Sequence, residues 1–538
     1  MILPFDPLKY SYASRRRVMY AKNGMVCTSQ PLAAQAGLAI LRQGGNAADA
    51  AVAAAACLTV VEPSCNGIGG DAFALIWIEK EKKLYGLNGS GPAPMLLDVS
   101  AIREKYGAMP KYGWIPVTVP GIPSAWATLS GQYGKLPFED LMKPAIRYAE
   151  EGYPLSPVIS EQWGRAYREF EKNCREESQE YWFRTFAPKG RAYRAGEIVT
   201  LPDHGKTLAE IGRTKAESFY RGALAEKIDA WSRKTGGYLR KEDLAAYHAE
   251  TVTPIETNYR GYTVSEIPPN GHGVVALMAL NILEGFEFHT RDTAETIHRQ
   301  IESMKLAFVD GQRYVTDPRH MKVTVDQLLS RQYAAERRRL IGEEAVDPVC
   351  GDPACGGTVY LCAADGEGNM ISYIQSNYMG FGSAVVIPET GIAMQNRGAN
   401  FYLDPASENC AAPGKRPYHT IIPGFLLKDG EAVGPFGVMG GFMQPQGHLQ
   451  MVTNLVDFHM NPQESLDAPR WQWVGGKNIE VERDFPPVLT EQLMRMGHIV
   501  KVVPDGRTMG CGQIIWKNEE GVLAGGSEPR TDGIAAAY

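Results

Sequence analysis

Three short stretches carry side chains whose types and spacing suit covalent chemistry. In DPACGGTVYLCAADGEGN (352–369), Thr358 follows two glycines and opens an apolar run. A hydroxyl alone is a weak nucleophile. If the peptide bond before Thr358 were cut, the same residue would hold a free α-amino group with a pKa of roughly 7.7–8.0, a base beside its own nucleophile. A β-branched strand starter is the structural alternative, and Cys355 is a rival nucleophile. In GVMGG (437–441), Gly440 and Gly441 follow a strand, where missing side chains let backbone N–H groups close on a tetrahedral oxygen or simply make a turn. His419, in KRPYHTIIPG, is a candidate functional imidazole or a ring satisfied locally.

Other signatures are missing or out of context. There is no HExxH, Walker A or GxSxG pattern, and the ten histidines are scattered. Gly67 to Ala72 fits GxGxxA, yet a helix precedes it and a strand follows, the reverse of a dinucleotide fold, so its glycines are read as close packing. Cys350 and Cys355 have no second Cys/His pair at zinc spacing. Neither a metal nor a cofactor is expected.

The elements around these stretches divide the chain. SQPLAAQAGLAILRQGGNAADAAVAAAACLTVVEP predicts two small-residue helices broken at Gly44-Gly45, and the sequence after it a strand from Ala72 to Ile78 with a hairpin partner. Residues 111–340 read as mainly helical, and 343–357 as a polar loop. Beyond it strands prevail: TVYLCAAD, MISYIQSN, AVVIPETGIAMQNR and the hairpin about Lys428-Asp429-Gly430, followed by helices at 447–459 and 488–496 and strands near 498–503 and 513–516. Layered helix–sheet–sheet–helix packing would bury this set.

The totals exclude several classes. A chain of 538 residues, 44% apolar and 22% charged with a formal net charge of −6, has the balance of a soluble globular protein and no global attraction to nucleic acid or anionic membrane. The basic N-terminus has no apolar run after it, and the block Ala47 to Val61 is too short to span a bilayer, so a cytoplasmic protein acting on a small molecule is expected. Nine cysteines without a secretory signal read as free thiols.

Taken in order, GGNAADAAVAAAACLTVVEPSCNGIGGDAF, GGTVYLCAADGEGN, NYMGFGS, GIAMQNRGANF, GKRPYHTIIPG, GVMGG and SEPRTDGIAAAY resemble the γ-glutamyltransferase (γ-glutamyltranspeptidase) family. The resemblance implies an α+β fold, the N-terminal-nucleophile hydrolase αββα sandwich, and self-cleavage between Gly357 and Thr358. Residues 1–357 and 358–538 would then form a large and a small subunit held as a heterodimer, with higher oligomers open. It implies Thr358 as nucleophile, Gly440 and Gly441 as oxyanion donors, and water or an amine as acceptor for the acyl group of a small-molecule amide. By the same match Asn377 stands beside the acyl site, with Ser376 or Gln375 assisting the Thr358 hydroxyl.

Departures from the family pattern bear on the acyl group. Glutathione-using members carry an arginine that grips the glutamyl α-carboxylate, and here that stretch is LNGSGPAP (87–94). Asn400 replaces the aspartate that holds the α-ammonium, His419 and Thr420 replace paired serines, and Arg397 enters a position usually uncharged. A bidentate carboxylate clamp is thus lost in one place and a cation gained in another. The expectation is an enzyme acting on γ-glutamyl or similar amides such as glutathione. The alternatives are an acylase for glutaryl or cephalosporin-type side chains and a catalytically inactive binding relative.

Overall fold

The computed structural model describes residues 11–12, 16–348, 357–504 and 506–538. Cys350 and Cys355 lie outside these residues. Strand β2 (Gly357–Asp365) forms a local antiparallel hairpin with β3 (Met370–Tyr378), and β3 pairs antiparallel on its other side with the sequence-distant β1 (Asp71–Ile78). They are the centre of a seven-stranded sheet ordered Ile534–Ala537, Gly24–Thr28, β2, β3, β1, Lys83–Gly89, Glu250–Val252. A second seven-stranded sheet runs Met19–Ala21, Leu523–Ser527, Cys511–Lys517, β4 (Glu431–Met439), Gly424–Lys428, Tyr262–Glu266, Ile255–Tyr259.

Strand alternation explains the layers. In β1, Ala72, Ala74 and Ile76 pack with the helices, while Phe73, Leu75 and Trp77 join Tyr360, Cys362, Ile374, Phe425 and Ile515 between the two sheets. On the outer face of the first sheet lies α1 (Ala47–Val61), whose fifteen residues are all buried. Its alanines allow close approach, and its N-terminus is closed by a reciprocal Asn46/Asp49 capping box. The outer face of the second sheet is covered by α2 (Gly273–Leu283), α3 (Ala294–Tyr314) and α4 (Met443–Val456). The result is an αββα sandwich, as expected.

Residues on both sides of position 357 contribute strands to both sheets, so the two segments form one folding unit with a shared core. One expectation is refined and one is corrected. The region read as mainly helical contains the strands Glu250–Val252, Ile255–Tyr259 and Tyr262–Glu266, whose short alternating runs are stabilised by edge pairing to sheets assembled elsewhere in the chain. AVVIPETGIAMQNR is no strand: Glu389 and Gly391 turn at φ 57° and 69°, and its β-type pairing is limited to the isolated bridges Val386–Ala393 and Gly69–Met394. Among the described residues no helix is long and apolar enough to cross a membrane.

Candidate active site

Register places three polar side chains in a row. Thr358 has the same parity as Tyr360 and faces between the sheets; Ser376 shares the parity of Ile374, and Asp71 that of Phe73, so both face the same way. Ser376 pairs directly with Asp71 across β3 and β1. The β2–β3 ladder is irregular between Gly357 and Val359, the kind of bulge that re-aims side chains at a strand end. There the Thr358 hydroxyl donates to Ser376 Oγ at 3.2 Å, and the Tyr378 N–H donates to the same oxygen at 2.7 Å. Tyr378 holds φ at +76°, a strained conformation for a bulky residue.

The opposite parity decides between the two proposed helpers of Thr358. Gln375 points toward the helices, where its amide donates to Asn66 Oδ1 at 2.7 Å and to the Ala55 carbonyl at 2.9 Å and accepts from Tyr373 OH at 2.8 Å. It is a core brace and does not reach Thr358. Asn377 lies against the GIGG turn, where a Cβ on Gly70 would stand 2.5 Å from its Oδ1, and both its side-chain polar atoms are buried without a hydrogen-bond partner among the described residues. That near-contact, and the 2.4 Å between a Cβ on Gly69 and the Ala393 carbonyl, account for these glycines as close packing.

Gly440 and Gly441 end β4 and lead into α4 with φ of 144° and 61°, which side chains other than glycine rarely adopt. The packing of the sheets brings them to the nucleophile end. Gly434 lies against Met370, the neighbour of Ala364, and Gly437 against the Tyr360 ring, so following β4 forward follows β2 backward toward Thr358. His448 of α4 steadies this strand end by accepting the Val438 N–H at 3.3 Å, while its Nδ1 meets Glu266 Oε1 at 2.6 Å.

Beside the row lies a buried charge cluster. His419 Nε2 meets Asp71 Oδ2 at 3.0 Å, and Gln395 Nε2 donates to Asp71 Oδ1 at 2.8 Å. Burial, reinforced by the Arg397 charge, pushes the His419 ring well below its ordinary pKa. The Ile421 N–H approaches Nδ1 at 3.4 Å, so the neutral ring carries its proton on Nε2 and donates it to Asp71. Burial raises Asp71 to about 7, against the opposing pull of Arg397 and the Gln395 hydrogen bond.

Arg397 is fully buried and lowered to about 10 by that burial, with Asp71 and Tyr378 acting in the other direction. Its Nη1 donates to Thr420 Oγ1 at 2.7 Å, and its guanidinium lies 4.4 Å from the centre of the Tyr378 ring. Nε and Nη2 have no hydrogen-bond partner among the described residues. Gln395 Oε1, His272 Nε2 and Gln444 Nε2 are likewise buried without partners. Buried polar groups are normally paired, so this gathering of vacant donors and acceptors marks a place built for a polar ligand.

Asn400 is the remaining expected residue, and it donates to the Tyr418 carbonyl at 3.0 Å. In the loop that stands where an arginine was looked for, Asn88 donates to Asn270 Oδ1 at 3.0 Å and Ser90 to Asn88 Oδ1 at 2.7 Å, while Arg416 braces it by donating to the Ser90 carbonyl at 3.0 Å. Asp71, Tyr378 and Gln395 were missed by sequence reasoning. The signal for Asp71 was a lone acid opening a buried strand after a glycine turn; Tyr378 and Gln395 had none.

His298, Glu302 and His498 are the one group of metal-type side chains that converges among the described residues. Lys305 already lies 2.7 Å from Glu302 Oε1, so a divalent ion would add buried charge with no anion to offset it.

Known proteins agree with this architecture. The γ-glutamyltranspeptidase family model matches residues 33–538. The glutathione hydrolase-like YwrD proenzyme of Bacillus subtilis is 37% identical over 95% of this chain and 98% of its own length. The oxamate amidohydrolase proenzyme of Klebsiella pneumoniae is 34% identical over 96% and 98%. The crystal structure of cephalosporin acylase from Bacillus halodurans superposes with a TM-score of 0.95 at 59% identity, covering 100% of this chain and 99% of that one. With the αββα sandwich, the threonine at the head of a central strand and the glycine turn facing it, this chain belongs to the γ-glutamyltranspeptidase family and is an N-terminal-nucleophile enzyme.

Proposed function

We propose that the chain matures by cleavage between Gly357 and Thr358 and then hydrolyses, or transfers to an amine, acyl groups that end in a carboxylate. The observation that carries the acyl group is Arg397, a buried guanidinium with two vacant nitrogens. A carboxylate would fill both in the bidentate geometry that suits this side chain. Asp71 is no competitor for Arg397, because its two oxygens already accept from Gln395 and His419.

The chemistry follows from Thr358. In maturation its Oγ attacks the Gly357 carbonyl, the peptide C–N bond breaks as the ester forms, and water hydrolyses the ester. Residue 357 keeps a carboxylate and Thr358 gains its α-amino group. In turnover that amine takes the hydroxyl proton as Oγ bonds to the substrate carbonyl, and passes it to the departing nitrogen as the amide C–N bond breaks. The Gly440 and Gly441 N–H groups stabilise the oxyanion, and the Ser376 hydroxyl orients Oγ until attack. Water then resolves the acyl-enzyme.

A γ-glutamyl group is the second reading, supported by the family. Its α-ammonium needs an anion next to Arg397, and Asp71 is the buried carboxylate that would have to serve while still held by His419 and Gln395. A panel of 4-nitroanilides tests both: glutaryl should exceed γ-glutamyl, and both should exceed the uncharged butyryl donor. Preference for γ-glutamyl would assign the ammonium to Asp71, and equal rates for glutaryl and butyryl would remove Arg397 from the acyl site.

A further inference from the structure

The acyl half of an amide accounts for one side of Thr358, and a separate feature addresses the other half. A cavity of about 220 Å³ opens beside the site, walled by Tyr378, Asn400, Tyr418 and Phe442, with Gln312 and Lys111 farther out. Its walls are continuous with the reacting groups. Tyr378 is the residue whose N–H holds Ser376, and Phe442 directly follows the Gly440-Gly441 turn. Arg397 stacks on the Tyr378 ring and does not line the cavity, whereas Tyr378 does, so this one aromatic residue touches both the guanidinium and the cavity.

The shape and charge of this space are specific. Tyr418 and Phe442 lie nearly parallel, 18° apart with ring centres separated by 5.9 Å. They are fixed from behind by His272, which sits edge-on to both and meets Tyr418 OH at 3.0 Å. Tyr418 and Phe442 are thus stacked on each other, and with Tyr378 they present aromatic carbon to the cavity, against which a further flat ring packs by stacking or edge contact. Lys111 is the only charged side chain among the described residues lining the cavity, and it is exposed at the rim. Its main chain is pinned by Asn396, whose amide donates to the Lys111 carbonyl at 2.8 Å. A lone cation with no lining carboxylate complements an anionic substituent.

We infer that this cavity receives the amine half of the scissile amide, and that this amine is planar and aromatic in character and carries an anionic group directed to Lys111. The inference rests on the proposed placement of the nucleophile. When the acyl C–N bond breaks, the nitrogen leaves with the proton delivered through the Thr358 amine, and the free amine occupies the cavity until water enters.

Binding of product amines to the mature enzyme tests this without any acyl donor, so an error in the proposed acyl group leaves the readout intact. By calorimetry, 4-aminobenzoate should bind at least tenfold tighter than uncharged 4-aminobenzamide and than the non-planar 4-aminocyclohexanecarboxylate. Lys111→Ala should erase the advantage of the benzoate over the benzamide, and because Lys111 is exposed the variant should keep its thermal midpoint. Tyr418→Leu should weaken both aromatic amines about fivefold or more, locating them in this cavity. Equal binding of the three amines, no binding by any, or unchanged binding in both variants would overturn the inference.

Discussion

Two buried clusters in this protein combine histidine, carboxylate and cation, and they differ in how completely they are paired. In the first, Lys305 lies 2.7 Å from Glu302 Oε1 and donates to the Val346 carbonyl at 3.2 Å, while the Val346 N–H donates to Glu302 Oε2 at 3.1 Å. His298 is held between the Gly342 carbonyl at 3.0 Å and His498 at 2.8 Å, and burial, with the Lys305 charge next, pushes His498 down to about 3. This cluster ties α3 to the chain at 342–346 and to His498, across the expected subunit division. In the second, Asp71 is satisfied by neutral partners and Arg397 is left with two vacant nitrogens. The lesson is physical: a charge set whose ions neutralise each other holds parts together, while one that leaves a buried cation under-bonded is ready for a substrate.

Four measurements would break or sharpen this contrast. The largest effect belongs to the residue both readings of the active site depend on. Thr358→Ala should remain a single uncut chain on a denaturing gel and lose about 10⁴-fold or more in turnover, as removal of an essential nucleophile does. A variant that still matures would move the nucleophile elsewhere, with Cys355 the first alternative to test.

Next comes the paired cluster. Lys305→Met leaves Glu302 buried without its cation, and should cost about 3–5 kcal/mol in chemical unfolding. Adding Glu302→Gln should return most of that loss, and the folded fraction of either variant should keep its turnover. Loss of activity out of proportion to folding would mean that this cluster, too, acts on the reaction.

Arg397→Met addresses the unpaired cluster. It removes two charge-assisted hydrogen bonds to a substrate carboxylate, each worth roughly 1.5–3 kcal/mol, so kcat/KM for glutaryl donors should fall about 100-fold or more. The uncharged butyryl donor should change little. A uniform loss across both donors would show a structural part instead of a specific one.

The smallest effect concerns a buried acid with no cation beside it. Glu62 accepts from Ser29 Oγ at 2.5 Å, and burial raises its carboxyl to about 8. The folded protein keeps this proton where the unfolded chain, ionising near the ordinary value, has released it. Stability from this group is therefore complete below about pH 4.5 and declines as pH rises toward 8. Glu62→Gln should flatten the fall in thermal midpoint over that window. The same slope in wild type and variant would assign the pH dependence to other groups.

Much of this was legible in the residue order. Thr358 after two glycines, the glycine pair at 440–441, the small-residue helix 47–61 and the alternating strands each announce themselves within a dozen residues, because helix packing, turn geometry and strand parity are local properties. Parity was also sufficient in principle to separate Ser376 from Gln375, since neighbours on a strand face opposite ways. The strands at 250–266 were obscured because they are short and stabilised by pairing with distant partners.

Sequence by itself thus determined the family, the layered fold and the residue at the head of the central strand. Only the tertiary structure decided what surrounds it. Asp71 and His419 meet across 348 residues, and Arg397 finds Thr420 and the Tyr378 ring through strand register and loop packing. Which buried polar atoms end up paired and which stay vacant depends on every neighbour at once, and that balance separates a brace from a binding site.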